Sequence, residues 1–484
     1  MRDWGARRVA DAAGAELVAA PQANTSSASD TDAIGAECPA GPRGASVDTR
    51  TLSPGELFVG LRGEHEDGGA HAAQALVAGA WGVLVTPEHA RGVAEAVEEA
   101  RGERLPAGVV LSHEDPLAGL HALARSWRRE LGARGAKVIA ITGSTGKTST
   151  KDILAALLSA HVPVASSPAN LNTEVGLPLA LLGAGGETRA LVLEMAMRGQ
   201  GQIAQLTAIA EPDVGVIVNV GPAHLELLGS LEAIAAAKAE LIVGLAAGAS
   251  AVLPADEPLL EPHLRADVEV ISFGEGGDVA LVARSADGTA LVRHGDQQIE
   301  LRPSFAQAHN LQNLLAAVAA ARALGHTPAG RLDVEFSAMR GQRHVLAGGV
   351  TVIDDCYNAN PMSMRAAIDD LADTAPGRRV AVLGDMLELG EQAPRLHREI
   401  GEYAAARGVE LLVTVGPLAA EIRRGFPGES RAAVDAEEAA EIVGGLLAEG
   451  DTVLVKGSRG VGMERVVACL CVHAPFAYAG AEPR

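Results

Sequence analysis

Hydrophobic residues are distributed along this chain in two patterns. One has the spacing of helices, and the other is the continuous run that is typical of buried strands. Residues 115–133 have the spacing of an amphipathic helix, and 308–325 also has a helical pattern. Nearly uninterrupted apolar runs at 136–142, 189–196 and 213–220 predict strands that are covered on both faces. Strands that alternate with helices predict an α/β fold with a parallel sheet between helical layers.

The same alternation divides the chain into three predicted domains. A first α/β unit occupies 1–113, with a polar loop predicted at 22–45 and a strand, turn and strand at 46–61. A central domain with a parallel sheet follows over 114–330, opened by the helix at 115–133. A doubly wound, Rossmann-like C-terminal domain is predicted over 331–484, because four more apolar runs are separated by helices. These runs lie at 350–355, 378–385, 410–416 and 451–457.

Composition narrows the class of protein. At about 150 residues per domain, 484 residues fit three domains. The formal net charge of −21 predicts a poor general binder of nucleic acid or anionic membrane, and anionic substrates would need local Arg, Lys or a metal ion. The four cysteines lack zinc-site spacing, and the longest uncharged stretch, 241–255, is too short to span a bilayer. We therefore expect a cytoplasmic protein without a membrane span.

Lysine and asparagine are rare in this chain. Five of the 40 basic residues are lysines, and several of them share short segments with the few asparagines. A lysine kept against such a bias is a candidate for a role that arginine cannot fill, because an ammonium can lose its proton and react whereas a guanidinium stays charged. Chance retention is the alternative at each single position.

A glycine-rich segment between a predicted strand and a predicted helix is the strongest local motif. It consists of Gly143, Ser144, Thr145, Gly146, Lys147, Thr148 and Ser149. Glycines allow backbone N–H groups to approach phosphate oxygens, and the helix N-terminus favours an anion. Lys147 would reach the outer phosphates and the Thr148 hydroxyl would bind Mg²⁺. An ordinary glycine turn that caps a helix is the alternative, since the spacing is two residues shorter than the usual phosphate loop.

Three further side chains could complete a nucleotide and metal site. Glu194 ends one buried strand and His224 follows another, at the edge where open α/β sheets bind ligands. Lys238 lies on the helix after His224. Taken singly, Glu194 and His224 are more often structural polar residues, and Lys238 could be a solvated lysine paired with Glu240. Their shared location favours a Mg²⁺ site with ATP as the nucleotide.

These motifs, with four further segments, resemble the Mur ligases, the ATP-dependent amide-forming enzymes of peptidoglycan synthesis. The segments lie at 170–178, 355–361, 384–390 and 456–459. Two of them, at 357–361 and 456–459, are similar to those of family members that add D-alanyl-D-alanine to UDP-N-acetylmuramoyl-tripeptide. No DNPR segment, such as diaminopimelate-adding members carry, is present. The resemblance covers nearly the whole chain, and it implies these two substrates.

The resemblance also implies roles for particular residues. Thr148 and Glu194 would hold one Mg²⁺, and His224 with a carbamylated Lys238 would serve a second. Arg343 would reach the γ-phosphate, although the spacing around it leaves this role open between Arg340 and Arg343. The nucleotide would also contact Asn310 through its base, Asp355 through its ribose, and Tyr357 and Asn358, which line the cleft near adenine or the dipeptide. The other substrates would meet Asp48, Thr49, Arg50, Asn172 and Thr173, the first three at the UDP end.

Three other functions remain as alternatives. A different amide ligase of the same superfamily would keep the phosphate loop without needing the segments at 357–361 and 456–459. A regulatory module would bind ATP without turnover. A P-loop kinase or GTPase is disfavoured by the three-domain layout and by the absence of a guanine-type NKxD motif. The third residue of the tripeptide, lysine or diaminopimelate, stays open, and nothing in the sequence requires more than a monomer.

Overall fold

Three β-sheets follow one another along the part of the chain that the computed structural model describes, namely residues 1, 3–20, 41–99, 108–168 and 170–473. Most of the loop predicted at 22–45, including Cys38, lies outside these residues. Within the described residues, no helix has the length and apolar character needed to cross a membrane.

The first sheet belongs to the N-terminal unit and has the strand order β1-β5-β4-β3-β2, parallel except for β1 against β5. Two strands were predicted at 46–61. The second is confirmed as Leu57–Val59, but the first has only the two residues Ala45–Ser46 and is followed by a turn. The strands are β1 (Glu16–Ala19), β2 (Ala45–Ser46), β3 (Leu57–Val59), β4 (Gly82–Val85) and β5 (Val109–Ser112), and the helices are α1 (Ala6–Ala13), α2 (Ala72–Val77) and α3 (Pro87–Glu99).

Helix α4 (Pro116–Ala133) joins this unit to the central domain. Its start is defined by Asp115, whose carboxylate accepts hydrogen bonds from the backbone N–H groups of Leu117 and Ala118. Its apolar stripe packs against α1 and against two central helices, and the buried Trp127 donates from Nε1 to the Ala184 carbonyl at 3.0 Å.

The central sheet has ten strands in the order β15-β14-β13-β12-β11-β10-β9-β6-β8-β7. Strand β6 lies between β8 and β9, all three parallel, so their carboxyl ends meet at one edge. The strands are β6 (Lys137–Thr142), β7 (Val164–Ser166), β8 (Ala190–Glu194), β9 (Val214–Ile217), β10 (Ser250–Pro254), β11 (Glu269–Phe273), β12 (Val279–Arg284), β13 (Ala290–His294), β14 (Gln297–Pro303) and β15 (Gly330–Leu332). The helices are α5 (Lys147–Ser159), α6 (Gly176–Gly183), α7 (Gln202–Ala210), α8 (Leu225–Leu228), α9 (Leu231–Gly244) and α10 (Ala308–Ala323).

The sequence analysis did not foresee two features of this sheet. Strands β12, β13 and β14 form an antiparallel extension, so the sheet is mixed rather than purely parallel. Strand β14 alternates exposed and buried residues, as expected for a strand with one face in solvent. The pairing of β15 with β14 also carries the sheet two residues past the predicted boundary at 330.

The C-terminal sheet has the order β16-β17-β21-β18-β19-β20 and is parallel except for β16, as expected for a doubly wound domain. All four predicted strands are confirmed, and β16 and β20 were not predicted. The strands are β16 (Gln342–Val345), β17 (Thr351–Asp354), β18 (Arg379–Gly384), β19 (Leu411–Val415), β20 (Glu429–Ala433) and β21 (Thr452–Lys456). The helices are α11 (Pro361–Thr374), α12 (Ala393–Ala406), α13 (Ala420–Gly425), α14 (Ala436–Gly444) and α15 (Glu464–His473).

Candidate active site between the central and C-terminal domains

A cleft of about 1470 Å³ separates the central domain from the C-terminal domain. One wall consists of the carboxyl ends of β6, β8 and β9 and the start of α10. The other wall consists of residues that follow β17 and residues of the first turns of α11. Parallel strands direct their carboxyl ends to one edge, and this edge is where ligands bind in open α/β sheets.

The predicted phosphate loop runs from β6 into α5 and borders the cleft. Its shape is held by Asn219, whose side-chain oxygen accepts hydrogen bonds from the backbone N–H groups of Ser144 at 3.1 Å and Thr145 at 3.0 Å. The Ser144 hydroxyl donates to the Gly221 carbonyl at 2.9 Å. Asn219 was not assigned a role from sequence, although it is a rare asparagine that follows a buried strand.

Gly146 begins helix α5 in the left-handed region, with φ of +75°, and a Cβ there would lie 2.4 Å from Oδ1 of Asn313. We expect Gly146→Ala to weaken nucleotide binding. The added Cβ would clash with Asn313 and displace the loop, and a side chain at this positive φ costs about 1–3 kcal/mol of strain. Gly135→Ala is the matched control, since Gly135 has φ of +90° with no atom within 4 Å of a Cβ. Binding of a fluorescent ATP analogue to both variants measures the difference, and equal affinities would contradict the role of the clash.

Thr148 and Glu194 meet in the loop, as predicted. The Thr148 hydroxyl donates to Oε2 of Glu194 at 2.8 Å, and Nδ2 of Asn172 donates to Oε1 at 2.9 Å. Glu194 is 3% exposed at the end of β8. A hydroxyl and a carboxylate beside a phosphate loop are oxygen donors of the kind that nucleotide-bound Mg²⁺ uses in proteins.

The buried lysines at this site differ in their partners. Lys147 donates from Nζ to the Gly143 carbonyl at 2.9 Å, and burial lowers its pKa, although Glu194 opposes the shift. Lys238 is 2% exposed on α9 and has no hydrogen-bond or ion-pair partner among the described residues. Burial, assisted by the charge of Lys147, lowers the pKa of Lys238 well below its usual value. Burial of an amine without a partner among the described residues disfavours its charged form.

His224 lines the cleft from the N-terminal end of α8, in the left-handed region with φ of +60°. Its Nδ1 shares a hydrogen bond with the carboxylate of Glu388, which lies in the C-terminal domain. Burial lowers the pKa of His224, and the carboxylate of Glu388 opposes that shift.

Arg340, rather than Arg343, contacts the phosphate loop. Its Nη2 lies 3.2 Å from the Thr148 hydroxyl oxygen, and its guanidinium lies 4.1 Å from the centroid of the Tyr357 ring. Arg343 instead donates to both carboxylate oxygens of Asp370 at 2.9 Å. The γ-phosphate role, which the sequence left open between Arg340 and Arg343, stays a prediction. The charge of Arg343 is paired with Asp370, whereas Arg340 contacts the loop.

The segments that follow β17 and β21 meet at the cleft. Lys456 is 1% exposed, and its Nζ donates to the Asp355 carboxylate at 2.7 Å and to the Asn358 carbonyl at 2.9 Å. Asn360 caps α11 and donates from Nδ2 to the Ser144 carbonyl at 3.3 Å, which ties the C-terminal domain to the phosphate loop. Lys456 and Asn360 were singled out only as rare residues in recognisable segments.

The remaining predicted residues divide between the cleft and its surroundings. Asn310 is buried against Asn313 beneath the loop and lines the cleft, as do Asn172 and Thr173. The turn of Asp48, Thr49 and Arg50 does not line the cleft, although the preceding residue Val47 does. Asp48 and Arg50 pair with each other at 2.6 Å, and the Arg50 side chain is 87% exposed.

Comparison with known proteins gives family matches on both sides of the cleft. The Mur ligase middle domain family matches residues 141–321, and the Mur ligase glutamate ligase domain family matches 339–459. The UDP-N-acetylmuramoyl-tripeptide–D-alanyl-D-alanine ligases of Bacillus subtilis and Escherichia coli are 34% and 33% identical to this chain. Each alignment covers 88% of this chain, with 92% and 93% of the two relatives.

Solved structures support the same assignment. The crystal structure of MurF from Acinetobacter baumannii is 30% identical over 88% of this chain and 92% of its own, with a TM-score of 0.75. The ADP complex of MurF ligase from Thermotoga maritima is 31% identical over 88% of this chain and 96% of its own, with a TM-score of 0.73. The family and fold class predicted from sequence are confirmed. The chain belongs to the Mur ligase family, and within it to the UDP-N-acetylmuramoyl-tripeptide–D-alanyl-D-alanine ligases.

Proposed function

We propose that this chain uses ATP to join D-alanyl-D-alanine to UDP-N-acetylmuramoyl-tripeptide in peptidoglycan precursor synthesis. The observation that carries this proposal is the closed cleft, in which Arg340, Tyr357 and Asn360 of the C-terminal domain face the phosphate loop. We propose a monomer as the active form. We place the reaction in the cytoplasm, where ATP is available.

In the first step, a carboxylate oxygen of the tripeptide attacks the γ-phosphorus of ATP. The bond between the γ-phosphorus and the bridging oxygen breaks, ADP leaves, and an acyl phosphate forms. Lys147 and Arg340 neutralise the charge that develops on the phosphoryl oxygens, and the fixed backbone of the loop holds the phosphates in line. Asn310 and Asp355 are proposed to contact the base and ribose of the nucleotide.

In the second step, the amine of D-alanyl-D-alanine attacks the acyl carbon. The new C–N bond forms, the amine loses a proton, and inorganic phosphate leaves with the electrons of the C–O bond. An acyl phosphate must be kept from water, and closure of the C-terminal domain over the loop supplies that protection. Tyr357 and Asn358 line the part of the cleft that this dipeptide or the adenine would occupy.

The residues present fit Mg²⁺. Thr148 and Glu194 would hold one ion, and His224 with Lys238, the latter as a carbamate, would serve a second. Mg²⁺ supplies charge that neutralises the phosphates of ATP during transfer. Lys238 fits this role because it is buried with no partner for its amine in the described part of the chain, and a carbamate would convert it into an oxygen donor.

Phosphate release from ATP in four mixtures tests the proposal. The mixtures contain enzyme alone, enzyme with D-alanyl-D-alanine, enzyme with UDP-N-acetylmuramoyl-tripeptide, and enzyme with both, using tripeptides that end in lysine or in diaminopimelate. We expect release only with both substrates, and a product heavier than the tripeptide by the dipeptide. Release that requires another amino acid would contradict the dipeptide as substrate, and ATP binding without release in any mixture would favour a regulatory module.

A further inference from the structure

The contact between His224 and Glu388 joins the two walls of the cleft next to the phosphate loop. Nδ1 of the histidine and a carboxylate oxygen of the glutamate share a hydrogen bond. Both residues have left-handed backbones, with φ of +60° and +61°, although neither is glycine. Such a conformation is strained and persists only where surrounding structure enforces it. Two strained residues therefore meet at this contact.

The segment that carries Glu388 is fixed from three sides. The backbone N–H of Met386 donates to Nε2 of the buried His397 at 2.9 Å, and that of Leu387 donates to the Ser458 hydroxyl at 2.9 Å. The Glu388 carbonyl accepts from the Glu226 N–H of the central domain at 3.1 Å. These bonds hold the side chain against the histidine.

Other charged groups compete weakly for the Glu388 carboxylate. Arg198 approaches to 3.9 Å, but its side chain is 77% exposed. His224 is only 25% exposed, so its hydrogen bond with Glu388 is better shielded from water. A carboxylate on one ring nitrogen of a histidine fixes the tautomer and leaves the other nitrogen as the lone-pair donor.

We propose that Glu388 is a positioning residue for His224: its carboxylate accepts the Nδ1–H, so that Nε2 is presented as a metal donor when the C-terminal domain is closed. This inference rests on the proposed function, in which His224 serves the second Mg²⁺. It makes domain closure a condition for a complete metal site, because the carboxylate comes from the C-terminal domain and the imidazole from the central domain.

Mn²⁺ binding to the full chain, measured by electron paramagnetic resonance with a non-hydrolysable ATP analogue, tests the proposal. We expect Glu388→Gln to weaken the second Mn²⁺ by about 10-fold and to lower kcat by roughly 10–100-fold, the range typical of an outer-shell partner. Glu388→Asp should show a similar loss, because its carboxylate is one methylene shorter. Glu391→Gln, an exposed glutamate three residues further on, is the matched control and should behave as the unchanged chain.

The outcomes separate this inference from the proposed function. Equal Mn²⁺ affinities in Glu388→Gln and Glu391→Gln would overturn the inference, even if kcat fell. Unchanged Mn²⁺ binding in His224→Ala would also overturn it, because His224 would then not be a ligand. The four-mixture assay on the unchanged chain decides the proposed function independently, since it does not depend on either variant. If Glu388→Gln and the control unfold at the same temperature while Glu388→Gln binds the second Mn²⁺ more weakly, the result would support positioning over misfolding.

Discussion

Replacing Lys238 by arginine is expected to lower turnover by roughly 10³-fold while leaving ATP binding measurable. Loss of a preorganised charged group at a phosphoryl-transfer site costs about this much. Lys238 is 2% exposed and has no hydrogen-bond or ion-pair partner among the described residues, and its burial lowers the pKa of the amine well below its usual value. A neutral amine can add CO₂ and release a proton to form a carbamate, whereas a guanidinium cannot.

Carbamate formation gives this prediction a direct readout. We expect a ¹³C NMR signal after incubation with ¹³C-bicarbonate, lost in Lys238→Arg and kept in Lys137→Arg. Lys137 is the matched control because its side chain is 58% exposed and pairs with Asp213 at the surface. Lys238→Glu places a carboxylate close to the proposed carbamate and should recover part of the activity if the fold tolerates it. Full activity in Lys238→Arg would disprove the carbamate.

The sign of the pH dependence follows from the same shift. Protonation of Lys238 as the pH falls through its lowered pKa removes the neutral amine, so the carbamate and the turnover should both decline on the acid side. Added bicarbonate should restore part of the turnover at the same pH. A decline of turnover at low pH that added bicarbonate does not reverse would assign the loss of turnover to another titrating group.

Arg340→Ala is expected to lower kcat by at least about 10³-fold, because an arginine that neutralises a transferring phosphoryl group contributes on this scale. The guanidinium contacts Thr148 and stacks on Tyr357, and its Nε is buried with no hydrogen-bond partner among the residues that the structure describes. The guanidinium is therefore held at the loop with an N–H donor still available to a phosphate oxygen. Nucleotide binding should change far less, because the contact gains most of its strength in the transition state.

Arg343→Ala is the matched comparison, three residues along the same segment. Its charge is paired with Asp370, so we expect its removal to affect stability and leave kcat within about 10-fold, since truncation leaves a buried carboxylate unpaired. Steady-state kinetics and thermal unfolding of both variants decide the assignment. The reverse pattern, with kcat lost in Arg343→Ala and kept in Arg340→Ala, would return the γ-phosphate role to Arg343.

Local patterns account for the parts of the fold and site that could be predicted. The strands that carry the site are continuous apolar runs, and the phosphate loop is a contiguous motif whose glycines and Lys147 act within one turn. Thr148 and Glu194 could be expected to meet, because each follows the carboxyl end of a parallel strand and β6 pairs directly with β8. Residues at the carboxyl ends of neighbouring parallel strands lie close together, even when they are far apart in the sequence.

Contacts between residues far apart in the chain were outside the reach of those patterns. Asn219 and Asn360 stood out only as rare asparagines, and Glu388 only by its place in the segment at 384–390. Their partners lie 74, 216 and 164 positions away. The antiparallel strands β12–β14 were missed as well, because their register depends on neighbours in the sheet rather than on a local period.

The sequence by itself therefore determined the fold class, the family and the glycine-rich loop, because these depend on local periodicity and contiguous motifs. The tertiary structure decided which arginine contacts the loop, since Asp370 binds Arg343 and leaves Arg340 to Thr148. It also decided that His224 takes its partner from the other domain. The contacts of Arg340 with Thr148 and of His224 with Glu388 both cross the cleft between the central and C-terminal domains, and the way these domains meet has no local signature in the chain.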